Sequence, residues 1–156
     1  MIVFRLTRRE FSLDLSGIGA EKLGGRWNSR GNPVLYTASN RALCLTEWLV
    51  HTPSVWLPTD LVMVQIEIPD STTIHQFQDM PKDWYKFPHP LSSRKLGDEW
   101  LLKSETLVLA VPSAVVPEEF NYLINPKHPD MKEVHILSCV DFRLDERFTS
   151  APAPLL

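Results

Sequence analysis

The sequence predicts a single α+β domain, on three observations. A length of 156 residues is ordinary for one domain with one hydrophobic core and too short for a second independent one. At least five strand-like segments occur with few helices and no strand-helix-strand alternation, which disfavours a doubly wound sheet. The 13 prolines, against an average usage of roughly 5%, argue against a helical bundle.

Residues 2–6, Ile-Val-Phe-Arg-Leu, read as the first strand. Residues 16–33 are expected as a long excursion rather than regular structure, in which Gly17, Gly19, Gly24, Gly25 and Gly31 bracket Arg26, Trp27, Asn28, Ser29 and Arg30. Loops of that length are usually functional or disordered, and large specific side chains on a permissive backbone favour the first. A short strand follows at 34–37. Ser39 is expected to cap a helix that starts near Asn40 and stops at about His51, before Pro53. Its apolar residues point in nearly every direction, so the helix is expected to be enclosed. Beyond the proline-bounded stretch 53–58, residues 61–68 read as a long half-exposed strand with Gln65 and Glu67 on one face. Residues 79–90 hold Trp84, Tyr85, Phe87 and three prolines, and Ser92 or Ser93 is expected to cap a helix containing Leu96, Trp100, Leu101 and Leu102. Strands at 106–111, ended by Pro112, and at 134–140 complete a domain over 1–149, with a loosely held tail over 150–156.

Composition narrows the function classes. Sixteen Lys and Arg stand against 19 Asp and Glu, a formal charge of -3, with no basic run to track a phosphate backbone, so direct nucleic-acid binding is disfavoured. Apolar runs fall short of the roughly 20 residues that span a bilayer, and no export signal precedes the first strand. Neither a membrane nor secretion is indicated, and a cytoplasmic location is expected. Cys44 and Cys139 match no disulfide framework and are expected in the core. His51, His75, His89, His128 and His135 are scattered without a metal-ligand spacing. No dinucleotide fingerprint, phosphate-loop motif or Gly-x-Ser-x-Gly is present.

Several residues remain as candidates for chemistry. Glu47 is a carboxylate within a largely apolar helix, so it must be paired, open to a cleft, or held with a raised pKa. Arg26, between Gly25 and Trp27, offers a rigid fork for phosphate or carboxylate, or a structural salt bridge. Arg5, Arg30 and Arg41 would join it if the excursion folded back over the first strand. Tyr36 can wall a pocket or pack in the core, and its hydroxyl needs a partner either way. Ser113 fits a ligand contact or a turn cap. Residues 118–129, with Asn121 and Asn125 around an apolar middle, are unusual for a plain connector.

Residues 24–38, Gly-Gly-Arg-Trp-Asn-Ser-Arg-Gly-Asn-Pro-Val-Leu-Tyr-Thr-Ala, followed by Ala42 and Glu47, resemble the signature of the RES-domain family. So does the later stretch 111–129, from Val-Pro-Ser-Ala to Asn-Pro-Lys-His-Pro, and the likeness spans nearly the whole chain. The resemblance implies a split mixed sheet similar to the ADP-ribosyltransferase toxin fold and a toxin that cleaves the nicotinamide-ribose bond of NAD, with water or phosphate as acceptor. A protein acceptor, or a non-catalytic nucleotide- or partner-binding module, stands as the alternative. It also implies catalytic roles for Glu47, Arg26 and Tyr36, and cofactor-binding roles for Arg26, Tyr36, Ser113, Asn121 and Asn125, with NAD as substrate and no metal. The implied partner is an Xre-like helix-turn-helix antitoxin, in a complex of higher order, with Trp84, Tyr85 and Phe87 as candidate interface residues.

Overall fold

The computed structural model describes residues 1–52 and 57–148. Among them, seven strands form one mixed sheet: β1 Ile2–Arg8, β2 Leu35–Ala38, β3 Leu61–Glu67, β4 Ile74–Gln76, β5 Val108–Pro112, β6 Phe120–Ile124 and β7 His135–Asp141. Three helices accompany it: α1 Ile18–Leu23, α2 Arg41–His51 and α3 Leu91–Lys103. The order across the sheet is β4-β5-β6-β2-β1-β3-β7, antiparallel throughout except for β4 beside β5.

The sheet is split at its middle. β1 pairs with β3 along its whole length, Ile2 opposite Glu67 through Arg8 opposite Leu61, yet it meets β2 only at Phe4 opposite Ala38. With one residue pair holding the halves together, the strands diverge on either side of it. Apolar side chains cover both faces: Val3, Val62, Val64 and Ile66 pack in one cluster, while Phe4, Leu6, Leu61 and Met63 join Leu43 and Cys44 of α2 in another. A third cluster, around Trp27, Trp100, Leu109 and Leu123, seats the 24–33 loop against α3 and the sheet.

This architecture bears out the α+β expectation and its split mixed sheet, and it corrects several details. The excursion is not wholly irregular, since α1 lies within it. Asn40 rather than Ser39 caps α2, its side chain accepting from the Leu43 amide at 2.8 Å. α3 starts two or three residues earlier than expected, with Pro90 in the capping position and Ser93 buried inside it. α2 is less enclosed than its composition suggests: Leu43 and Cys44 are buried, and Val50 is exposed because that side of the helix borders a cleft. β3 is more buried than expected, lying between β1 and β7 with apolar cover on both faces. Cys139 is exposed, because β7 is an edge strand. β6 falls within the 118–129 stretch read as a connector, and β4 is not among the expected strands. The tail over 150–156 and residues 53–56 of the proline-bounded stretch lie outside the described residues.

Candidate active site

Where β1 and β2 diverge, a cleft of about 740 Å³ opens. Arg5 and Leu6 of β1 face Tyr36, Thr37 and Ala38 of β2 across it. Glu47 and His51 of α2, Arg26 of the glycine-rich loop and Asn121 of β6 line it as well. Residues from both halves of the sheet therefore meet here.

Glu47 occupies one wall. Its Oε1 accepts from Ser113 Oγ and from Asn121 Nδ2, both at 2.6 Å, and its Oε2 stands 4.0 Å from His51 Nε2 one helical turn on. The side chain retains 21% exposure, so one oxygen is anchored while the carboxylate still reaches the cleft. Ser113 is itself fully buried, and its Oγ accepts from the amides of Val115 and Val116 at 3.0 and 2.9 Å. The turn-capping and site readings of Ser113 are thus the same geometry: the cap fixes the hydroxyl, and the hydroxyl fixes Glu47. Ser113 positions the carboxylate and does not line the cleft.

Arg26 lines the cleft as well, within range of the Glu47 charge, and its hydrogen-bond partners are main-chain carbonyls. Its Nη1 donates to the carbonyls of Trp84 and Lys86 at 2.5 and 2.8 Å, which leaves its other nitrogens for the cleft. Burial pulls the guanidinium below its ordinary range, opposed by the Glu47 carboxylate. Tyr36 presents its ring to the cleft while its hydroxyl accepts from the Trp27 amide at 3.1 Å and donates to Asn28 Oδ1 at 2.9 Å. Burial pushes that hydroxyl's pKa up, so it acts as a neutral strut. A Cβ at Gly25 would stand 2.6 Å from the Tyr36 hydroxyl oxygen and 2.8 Å from Asn28 Oδ1, so a larger residue there would displace this strut.

Three residues outside the expected set hold this loop. Asn28 is fully buried, and its Nδ2 donates to the carbonyls of Ala20 and Asn32 at 2.8 and 2.9 Å. Asp98 on α3 accepts from the Ser29 amide, the Ser29 hydroxyl and Asn32 Nδ2 at 2.8, 2.5 and 2.7 Å. Gly97 admits the loop, since a Cβ there would lie 1.8 Å from the Trp27 carbonyl oxygen. The loop motif contained Asn28, but nothing local to 97–98 signals a contact 69 positions back in the chain.

Other expected residues fall elsewhere. Asn125 is buried away from the cleft, with Nδ2 donating to Ser104 Oγ at 3.1 Å and Oδ1 accepting from the Lys127 amide at 3.0 Å. Of the further arginines, Arg5 joins the cleft, with Nη1 tied to the Asp14 carbonyl at 2.6 Å. Arg41 lies over the Phe4 ring and donates to Gln65, and exposed Arg30 donates to the Leu23 carbonyl. Trp84 stacks on Trp27 with centroids 6.2 Å apart, whereas Tyr85 and Phe87, 55% and 81% exposed, stand on the cleft rim. Cys44 lines the cleft, but burial pushes its thiol up to about 12, which denies it a nucleophilic role. Among the described residues no group of three or more His, Cys, Asp or Glu is placed to hold a metal ion, and no helix is long and apolar enough to cross a membrane.

The profile of the RES domain matches residues 2–145. The chain is 43% identical over 125 residues to the Prs ADP-ribosylating toxin of a Sphingobium species, covering 78% of each. It is 36% identical over 154 residues to Toxin Res of Photorhabdus laumondii, covering 97% of this chain and 99% of that one. In three dimensions it superposes on one chain of the M. tuberculosis MbcT-MbcA toxin-antitoxin complex with a TM-score of 0.72 at 16% identity, over 90% of this chain and 83% of that one.

Proposed function

The chain belongs to the RES-domain family, and from that premise we propose that it is an enzymatic toxin that degrades NAD by cleaving the nicotinamide-ribose bond, passing the ADP-ribosyl group to water or phosphate. The observation that carries the reading is Glu47, a carboxylate fixed through Oε1 by Ser113 and Asn121 while it faces a cleft large enough for a dinucleotide.

The chemistry asks for such a group. Nicotinamide is already cationic in NAD, so the bonding pair of the C-N bond leaves with the ring and neutralises it, without a proton from a general acid. Positive charge develops on the ribose instead. A carboxylate held still beside that ribose stabilises the charge without reorganising as it forms. Arg26 grips the diphosphate with the nitrogens not bound to the Trp84 and Lys86 carbonyls, and the Tyr36 ring packs against the nicotinamide or its ribose. Water as acceptor yields ADP-ribose, nicotinamide and a proton; phosphate yields phosphorylated ADP-ribose and nicotinamide.

The name of the Sphingobium relative, an ADP-ribosylating toxin, favours a second reading in which a protein side chain is the acceptor. Both share the first bond cleavage. A free NAD-consuming enzyme would deplete its own host, which calls for a cognate antitoxin of the Xre-like helix-turn-helix type; exposed Tyr85 and Phe87 on the cleft rim suit such a contact. The test is to incubate the purified protein with NAD and follow free nicotinamide, with product masses compared with and without phosphate and candidate proteins. Nicotinamide release is expected in each case, with the product mass naming the acceptor; NAD left intact under all conditions would refute the reading.

A further inference from the structure

His51 has no task in the chemistry proposed above, yet it lines the cleft one helical turn beyond Glu47. Its Nε2 stands 4.0 Å from Glu47 Oε2, the oxygen that neither Ser113 nor Asn121 engages. That is too far for a direct hydrogen bond. It is a spacing that one oxygen atom can bridge: placed about 2.8 Å from each, it would see the two acceptors about 90° apart, near the angle between the hydrogens of a water molecule. Such a molecule donates one hydrogen to each side and keeps its lone pairs free.

Transfer to a neutral O-H compound needs a group placed in this way. As the acceptor oxygen bonds to the ribose carbon, the C-N pair leaves with nicotinamide and the acceptor has to give up a proton. Few groups lining the cleft can take it. Arg5 and Arg26 are already protonated. Burial pushes the Tyr36 hydroxyl and the Cys44 thiol up, so both keep their own protons. His89 is held down to about 4 by burial and by the charges of Arg26, His51 and Arg94, with Glu47 opposing, which makes it a weak base. Glu47 has to keep its charge while the ribose becomes positive. His51 is the remaining candidate: at 58% exposure it can hand an accepted proton on to solvent, and the Glu47 carboxylate and the C-terminal end of α2 stand beside the charge it would carry. The His89 ring meets it edge-on, with centroids 5.9 Å apart.

We infer that His51 is the general base for the acceptor: together with Glu47 Oε2 it holds a neutral O-H compound, water in the first instance, and its Nε2 takes that compound's proton as the C-O bond forms. The inference rests on the proposed NAD reading and deepens it by naming the class of acceptor. Hydrogen phosphate suits this position poorly, because its negative oxygens would face the Glu47 carboxylate, and it attacks through an oxygen that needs no base. The proton taken from water leaves through the exposed ring, so the products are ADP-ribose, nicotinamide and a proton in solution.

The experiment follows NAD turnover by the full chain at pH 8 in three conditions: without phosphate, with phosphate, and with methanol, a second neutral O-H acceptor. Nicotinamide release and product masses are read for wild type, His51→Gln and His51→Ala, with melting temperature as the check on folding. Wild type is expected to yield ADP-ribose, and methyl ADP-ribose where methanol is present, with phosphate changing little. His51→Gln keeps the reach of the side chain but takes no proton, and should lower kcat for ADP-ribose formation about 10²-fold with the KM for NAD little changed. Imidazole added to His51→Ala should restore part of the loss, which a merely structural histidine would not allow. ADP-ribose formation within a few-fold of wild type in folded His51→Gln would overturn the inference, as would a rise in KM with kcat unchanged. Phosphorylated ADP-ribose as the main wild-type product would overturn it too, while leaving NAD cleavage standing. NAD left intact by wild type in every condition would remove that reading and the inference with it.

Discussion

The carboxylate and the guanidinium of the cleft are held in different ways. Glu47 stands on a helix and is fixed by side chains from two neighbouring positions at the end of the sheet, Ser113 just past β5 and Asn121 on β6. Arg26 stands on a loop and is fixed by the main-chain carbonyls of Trp84 and Lys86, while Asn28 and Asp98 tie the loop. Regular elements hold the carboxylate whose position the proposed chemistry requires to be constant. The guanidinium that the same proposal assigns to the diphosphate is held by a loop and by the carbonyls of Trp84 and Lys86. Positioning by the sheet should therefore govern turnover, and positioning by the loop should govern binding.

The most severe way to break the loop's hold alone is Gly97→Ala. The new methyl would meet the Trp27 backbone at 1.8 Å, so the loop must move away from α3. A loss of about 1–3 kcal/mol of stability is expected, together with a large rise in the KM for NAD, although Glu47 is untouched. Thermal melting and steady-state nicotinamide release check both. On the carboxylate, Ser113→Ala removes one of the two donors to Glu47 Oε1, a bond to a charged group of about 1.5–3 kcal/mol. It should lower kcat about tenfold or more, with KM little changed.

Tyr36→Phe is milder. It deletes the strut between the Trp27 amide and Asn28, worth about 0.5–1.5 kcal/mol, and should raise KM more than it lowers kcat. The smallest effect is a slope. The His89 imidazole has an ordinary value of 6.5 and is held down to about 4 in the fold, so between those values the unfolded chain binds the proton more readily. Stability from this group is present above pH 6.5 and is lost as pH falls toward 4. Thermal melts across that window should show a shallower pH dependence in His89→Asn than in wild type.

The same contrast explains what was legible beforehand. Glu47 announced itself as a carboxylate in an apolar helix, and Arg26 and Tyr36 lay in one contiguous motif, so local sequence sufficed for them. The α+β class followed from strand-like runs that the sheet realises. Asp98 and Gly97 gave no local signal, because their roles exist only once α3 closes on a loop far back in the chain. Asn125 shared a motif with Asn121 but sits at the opposite end of that strand, next to Ser104, where its bonds serve a turn. Cys139 looked like a core residue by its neighbours, and only strand order made it an edge.

Glu47→Gln tests the central claim most directly, because it preserves shape and removes the charge that is to face the ribose. Nicotinamide release from NAD, measured with melting temperature and KM on the same preparation, should show kcat down by about 10²–10³-fold with fold and KM near wild type. Release within a few-fold of wild type from a folded Glu47→Gln protein would contradict the account.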